Sequence, residues 1–159
     1  MHGECPGVGK DGVITSLPLV NCGASRQELL DYFDNTWTLT EVLFSGLLGE
    51  DTFTRGPWHQ LRHPLIFYYG HVACVYVNKC RVAGLLQTGV NDYMEQIMET
   101  GVDEMSWDDL SKNEMEWPAL REVTEYRRTV YNLVKDGAPC APRPPPPPAR
   151  RPSPRAAVR

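Results

Sequence analysis

His71 is the side chain in this sequence whose surroundings most need an explanation. It lies between Tyr69-Gly70 and Val72-Ala73 in the most apolar stretch of the chain, where an imidazole must be hydrogen-bonded or metal-bound to offset its desolvation. Buried polar groups nearly always find partners, so a satisfied core histidine and a metal ligand both stand as readings. Gly70 beside it leaves room for a close neighbour. Cys74, three residues on and on the same helical face, makes a His/Cys half-site geometrically possible, although a buried free cysteine ordinarily serves as a small hydrophobe. His59 and His63 are four apart but precede Pro64 in a loop, which fits loop hydrogen-bonders better than ligands. Asp103, Glu104, Asp108 and Asp109 contain the makings of a general acid and base, yet neighbouring acids on a connection ordinarily cap and solvate. No Ser/His/Asp order, paired-cysteine site or HExxH is present.

The elements that must position these residues read as helices. Ser25 to Leu48 opens with Ser25 and Glu28 in capping-box spacing, and Leu29, Tyr32, Phe33, Trp37, Val42 and Phe44 recur at roughly helical intervals. Gly46 and Gly49 end it, and Asp31, Asp34 and Glu41 are expected on a solvated face. Pro64 to Gln87 is the second helix, with the proline in the first turn and His63 extended before it. Its Ile, Val, Phe and Tyr content has strand propensity, but its uninterrupted length favours a helix buried on several sides. Asn91 to Thr100 reads as a short helix closed by Gly101. Trp117-Pro118 opens the third long helix, which reaches about Lys135. Leu120, Val123, Tyr126, Val130, Tyr131 and Val134 form its inner stripe, and Arg121, Glu122, Glu125, Arg127 and Arg128 point outward. Three long helices and one short one predict an all-α, up-down bundle.

The 159 residues are one domain's worth, with an ordinary apolar share of 42%. The net charge of −4 is uneven: Arg143 to Arg159 carries five arginines and no acid, so the body is more acidic still and a poor match for nucleic acid. Five cysteines at irregular spacing suggest reduced thiols rather than a disulfide framework or zinc knuckle. With no signal-like start and no run near the ~20 apolar residues of a membrane span, a soluble, cytoplasmic protein is expected. Residues 1–12 read as a flexible leader, because Gly3 to Lys10 has the wrong glycine spacing for a phosphate loop and Asp11 stands where Ser or Thr should follow the lysine. Residues 13–136 form the helical domain. Residues 137–159, with the run Pro144 to Pro148, read as a disordered, polyproline-prone tail that is either a bland linker or a ligand for an SH3-like groove.

Two stretches carry a resemblance beyond periodicity. Leu61-Arg62-His63-Pro64-Leu65-Ile66-Phe67-Tyr68-Tyr69-Gly70-His71 and Gly101-Val102-Asp103-Glu104-Met105-Ser106-Trp107-Asp108-Asp109 resemble signature segments of the 5-histidylcysteine sulfoxide synthases of ovothiol biosynthesis. Asp31-Tyr32-Phe33-Asp34-Asn35-Thr36-Trp37 and the segment from Trp117-Pro118 to Tyr126-Arg127 are similar to the same family in the same order. The resemblance implies an amino-terminal DinB-like four-helix bundle, followed in the family by a catalytic second domain. It also implies an oxygen-dependent, non-haem iron(II) enzyme that joins cysteine to histidine. Iron there is held by one histidine of the second bundle helix, matched here by His71, and by an HxxxH pair on the fourth. No HxxxH follows His71 in this sequence. The expectation is therefore an incomplete bundle, truncated before its fourth helix and inactive alone. One imidazole does not fix catalytic iron. The uncovered apolar face is expected to drive self-association or partner binding, and a non-catalytic interaction module is the alternative.

Overall fold

The capping box at Ser25 forms as the sequence proposes. Ser25 Oγ accepts from the Glu28 backbone N–H, and the Glu28 carboxylate accepts from the Ser25 N–H at 2.7 Å. The Ser25 N–H, and next the Ser25 hydroxyl, hold the Glu28 carboxyl below its usual range, and the box starts α1, Arg26–Ser45. The computed structural model describes residues 10–11, 13, 20–21, 23–59, 62–99 and 116–137. The expected leader, the acidic segment 103–109 and the expected tail after Gly137 lie outside the described residues, apart from Lys10 and Asp11 of the leader.

The described chain is helical, with α2 (Asp51–Thr54), α3 (Leu65–Val82), α4 (Asp92–Ile97) and α5 (Leu120–Asp136) following α1. α2 is an addition to the sequence reading. The expected helices run shorter at their ends than their periodicity suggested. α1 stops at Ser45, with Gly46 as its cap. α3 stops at Val82 because Gly84 takes φ +72° and closes a Schellman turn, with the Leu85 N–H on the Cys80 carbonyl at 2.8 Å and the Gly84 N–H on that of Arg81 at 2.9 Å. α5 begins at Leu120 rather than at Trp117-Pro118. Its first N–H groups are met by two carboxylates: Glu122 accepts from Ala119, and Glu50, from the start of α2, accepts from Leu120.

Packing fixes the directions of the long helices. Phe33 packs on Tyr76 and Phe44 on Tyr69, so α1 and α3 run antiparallel. Asp34 meets Tyr131 and Lys135 while Glu41 meets Arg127, so α1 and α5 are antiparallel too. His71 meets Met98 while Cys74 meets Glu95, so the short α4 runs antiparallel to α3, and α3 and α5 therefore run the same way, as the second and fourth helices of an up-down order do. The core cluster draws on α2 to α5, with Phe53, Ile66, Ala73, Met98, Val123 and Val130 buried, and Trp37 and Phe44 of α1 packed against it. Among the described residues no helix is long and apolar enough to cross a membrane.

Several sequence expectations about faces are corrected by this packing. Arg127, expected outward, is 1% exposed; Asp34 and Glu41 are half-buried in ion pairs rather than solvated. Leu29 of the expected inner stripe is exposed, and Val72 and Val75 of the helix expected to be buried on several sides are partly exposed. Leu39, which the stripe omitted, is buried.

Candidate functional site

His71 is half-buried on α3, its ring stacked on Phe67 one turn earlier, with centroids 5.1 Å apart and planes at 21°. Its Nδ1 lies 2.7 Å from the Met98 carbonyl oxygen, just past the end of α4. A carbonyl only accepts, so in the neutral ring Nδ1 carries the proton and the lone pair sits on Nε2. The bond does local work as well, because carbonyls in the last turn of a helix lack intrahelical donors. Cys74 does the same one turn on: its thiol is 3.5 Å from the Glu95 carbonyl, and Asn78 donates to its sulfur at 3.4 Å. α4 is thus seated on α3 through its carbonyls by His71 and Cys74, and Gly70 makes the seat possible. A Cβ at Gly70 would overlap the Met98 thioether, which makes Met98 the close neighbour for which the sequence left room.

His71 also lines a cleft of about 350 Å³ between α1, α3 and α5, walled by Trp37, Val72, Val75 and Tyr76 and reached by Arg127. Arg127 donates from Nη1 to the Tyr69 carbonyl at 2.5 Å and from Nε to Glu41 at 3.1 Å, and its Nη2 pairs with the same carboxylate. Its guanidinium lies over the rings of Trp37 and Tyr69, 4.7 and 4.1 Å from their centroids. The cleft therefore joins an apolar wall, an imidazole and a neutralised cation. It can receive a small, largely apolar group with one polar end.

Cys74 is buried, with its thiol directed at the Glu95 carbonyl. Burial, and next the charges of Glu95 and Glu99, push its thiol up to about 12, so it is not a nucleophile near neutral pH. Cys80 is pushed up by burial as well. His63 is 3% exposed, its ring 4.4 Å from that of Phe67, and its backbone N–H donates to the Tyr68 hydroxyl at 3.4 Å. The Arg62 N–H donates to the His59 carbonyl at 3.0 Å. His59 and His63 thus belong to a turn, as their place before Pro64 implies.

Among the described residues no group of three or more His, Cys, Asp or Glu is arranged to hold a metal ion. One imidazole with an available lone pair does not fit an iron(II) centre by itself.

Sequence reasoning missed Glu95. It is 3% exposed, and its carboxylate accepts from the N–H groups of Val90 and Asn91 at 2.7 and 3.0 Å and pairs with Arg81. A larger cleft of about 740 Å³ lies beside it, but Glu95 is committed to holding the turn before α4. The one available signal was Gly89, where a Cβ would collide with this carboxylate. Neither a family model nor a curated protein matches the chain.

Proposed function

We propose that the chain is the DinB-like, amino-terminal bundle of a sulfoxide synthase of the ovothiol type, in which His71 contributes one iron ligand, and that it is inactive by itself. The observation that carries the reading is the ring orientation of His71. Its Nδ1–H is spent on the Met98 carbonyl, and metal-binding histidines are characteristically fixed by such a bond while the other nitrogen serves the metal. The resemblance from Leu61 to His71 supports it, because that segment runs from the loop through the first half of α3 to this ring. In the family, iron(II) supplies oxygen activation for joining cysteine to histidine. This chain's share is to hold one imidazole in a fixed tautomer beside an apolar cleft, and the other ligands come from outside the described residues.

The test is an anaerobic iron(II) titration that follows paramagnetic broadening of the His71 ring protons. It is run with His71→Ala as control and with an oxygen-dependent assay of cysteine plus histidine alongside. Weak broadening centred on His71, lost in the variant, with no sulfoxide formed, is the expected result. Iron that binds equally well to His71→Ala, or that leaves the His71 ring unaffected, overturns the reading.

A second reading, a non-catalytic interaction module, is favoured by the apolar side chains Leu43, Val72 and Val75 left exposed on α1 and α3. It expects self-association or partner binding that His71→Ala leaves unchanged and that Val72→Glu weakens, as measured by sedimentation velocity.

A further inference from the structure

Away from the His71 cleft, the turn that joins α2 to α3 borders an open cleft of about 630 Å³. Arg55 and Arg62 both line it, and none of the described lining residues is acidic, although the chain as a whole is net negative. Trp58 stands at its rim fully exposed, at 103% of its reference area, and Leu65 is 38% exposed. Tyr68 forms part of the wall. An indole held wholly in water gains nothing for the fold, and Trp, Tyr and Arg together are the residues that dominate binding energy at protein interfaces.

Two contacts hold the floor of this cleft. The turn is closed by the Arg62 N–H on the His59 carbonyl, and His63 is anchored in the core against Phe67. α3 starts here from Pro64 with no side-chain cap and no acid in its first turn, so the positive end of its dipole adds to the field of the Arg55 guanidinium. A guanidinium matches a carboxylate in paired, planar geometry, and the exposed Trp58 at the rim offers a place for one large apolar side chain of the same segment.

We propose that this cleft docks a carboxylate-rich segment of a partner protein, with Arg55 engaging its acids and Trp58 covering an apolar side chain of the same segment. Charge complementarity selects the occupant: a positive, aromatic cleft on an acidic body repels basic segments and favours acidic ones. The proposal does not rest on the iron reading.

The test uses the full chain and a fluorescein-labelled peptide of glutamates interrupted by one phenylalanine, followed by anisotropy. The controls are the matching lysine peptide and a glutamate peptide with alanine in place of phenylalanine. The glutamate–phenylalanine peptide is expected to bind, more weakly as salt is raised. Arg55→Glu and Trp58→Ala are each expected to lower affinity by about tenfold or more. Both positions are exposed, so far-UV circular dichroism should be unchanged, and His71→Ala should bind like the wild type. Equal binding of the lysine peptide, no binding of the glutamate–phenylalanine peptide, or full affinity in Arg55→Glu overturns the proposal. So does binding to vesicles of anionic lipid with none to the peptide, which would make the cleft a membrane contact.

Discussion

Gly70 and Met98 show how one missing side chain shapes the surroundings of His71. The Met98 thioether occupies the space a Cβ at Gly70 would need, with Val123 behind it, and Met98 is fully buried. Gly70→Ala is therefore expected to destabilise by about 1–3 kcal/mol through overpacking, and Met98→Ala by about 2–5 kcal/mol through a cavity. The double variant should cost clearly less than the two together, because each change relieves the other. Urea denaturation of the four proteins measures this coupling, and simple additivity would mean that the two do not share the space. Cys74 yields a prediction with a sign. Its thiol stays neutral up to about 12 in the folded chain, whereas an unfolded thiol ionises near about 8.5. The unfolded state then releases a proton that the folded state keeps. Stability is intact below the unfolded value and falls as pH rises from there toward 12. Cys74→Ala should shrink that slope without abolishing it, since burial also raises the hydroxyls of Tyr126 and Tyr69. Thermal unfolding across the alkaline range checks the sign, and a wild-type curve that rises with pH would refute it.

A helix end was legible where groups close in sequence set it. The box at Ser25 was readable because it is local, needing two side chains three residues apart and nothing else. Ser25→Ala is expected to cost about 1 kcal/mol, and Glu28→Ala less, because the exposed Glu28 carboxylate meets a single N–H. Urea midpoints decide this, and a neutral Ser25→Ala would mean that α1 is held by packing alone. By contrast, the start of α5 depends on Glu50, 70 residues earlier in the chain, and no local pattern carries that bond. The faces were legible only in part. Val123, Tyr126, Val130 and Tyr131 are buried as their spacing predicts, but Val72 and Val75 are exposed because the apolar girdle of α3 is wider than the surface its neighbours cover.

Across the whole molecule, Arg127 ties the three long helices together: it belongs to α5, bonds the Tyr69 carbonyl of α3 and pairs with Glu41 of α1. Glu41→Ala removes the counter-charge from a guanidinium that stays buried and is expected to cost about 3 kcal/mol. Combining Glu41→Leu with Arg127→Met should recover most of that loss, because an apolar pair needs no desolvation. Equilibrium unfolding of the variants checks both statements, and a neutral Glu41→Ala would show the pair to be dispensable. The sequence placed Arg127 outward and Glu41 in solvent because charge predicts exposure when each residue is read alone. Their pairing across 86 positions is a property of the folded chain.

What the sequence determined by itself was what its neighbours along the chain can enforce: helices from apolar periodicity, the box at Ser25, the stop at Gly46, and His71 set beside a glycine in an apolar run. The tertiary structure alone decided the rest. It drew Arg127 and Glu95 into the interior, paired Glu41 with Arg127, and gave the Nδ1–H of His71 to Met98. The physical reason is common to all of these. Each joins groups far apart in sequence, whose charge or hydrogen bond offsets burial only after packing has brought them together.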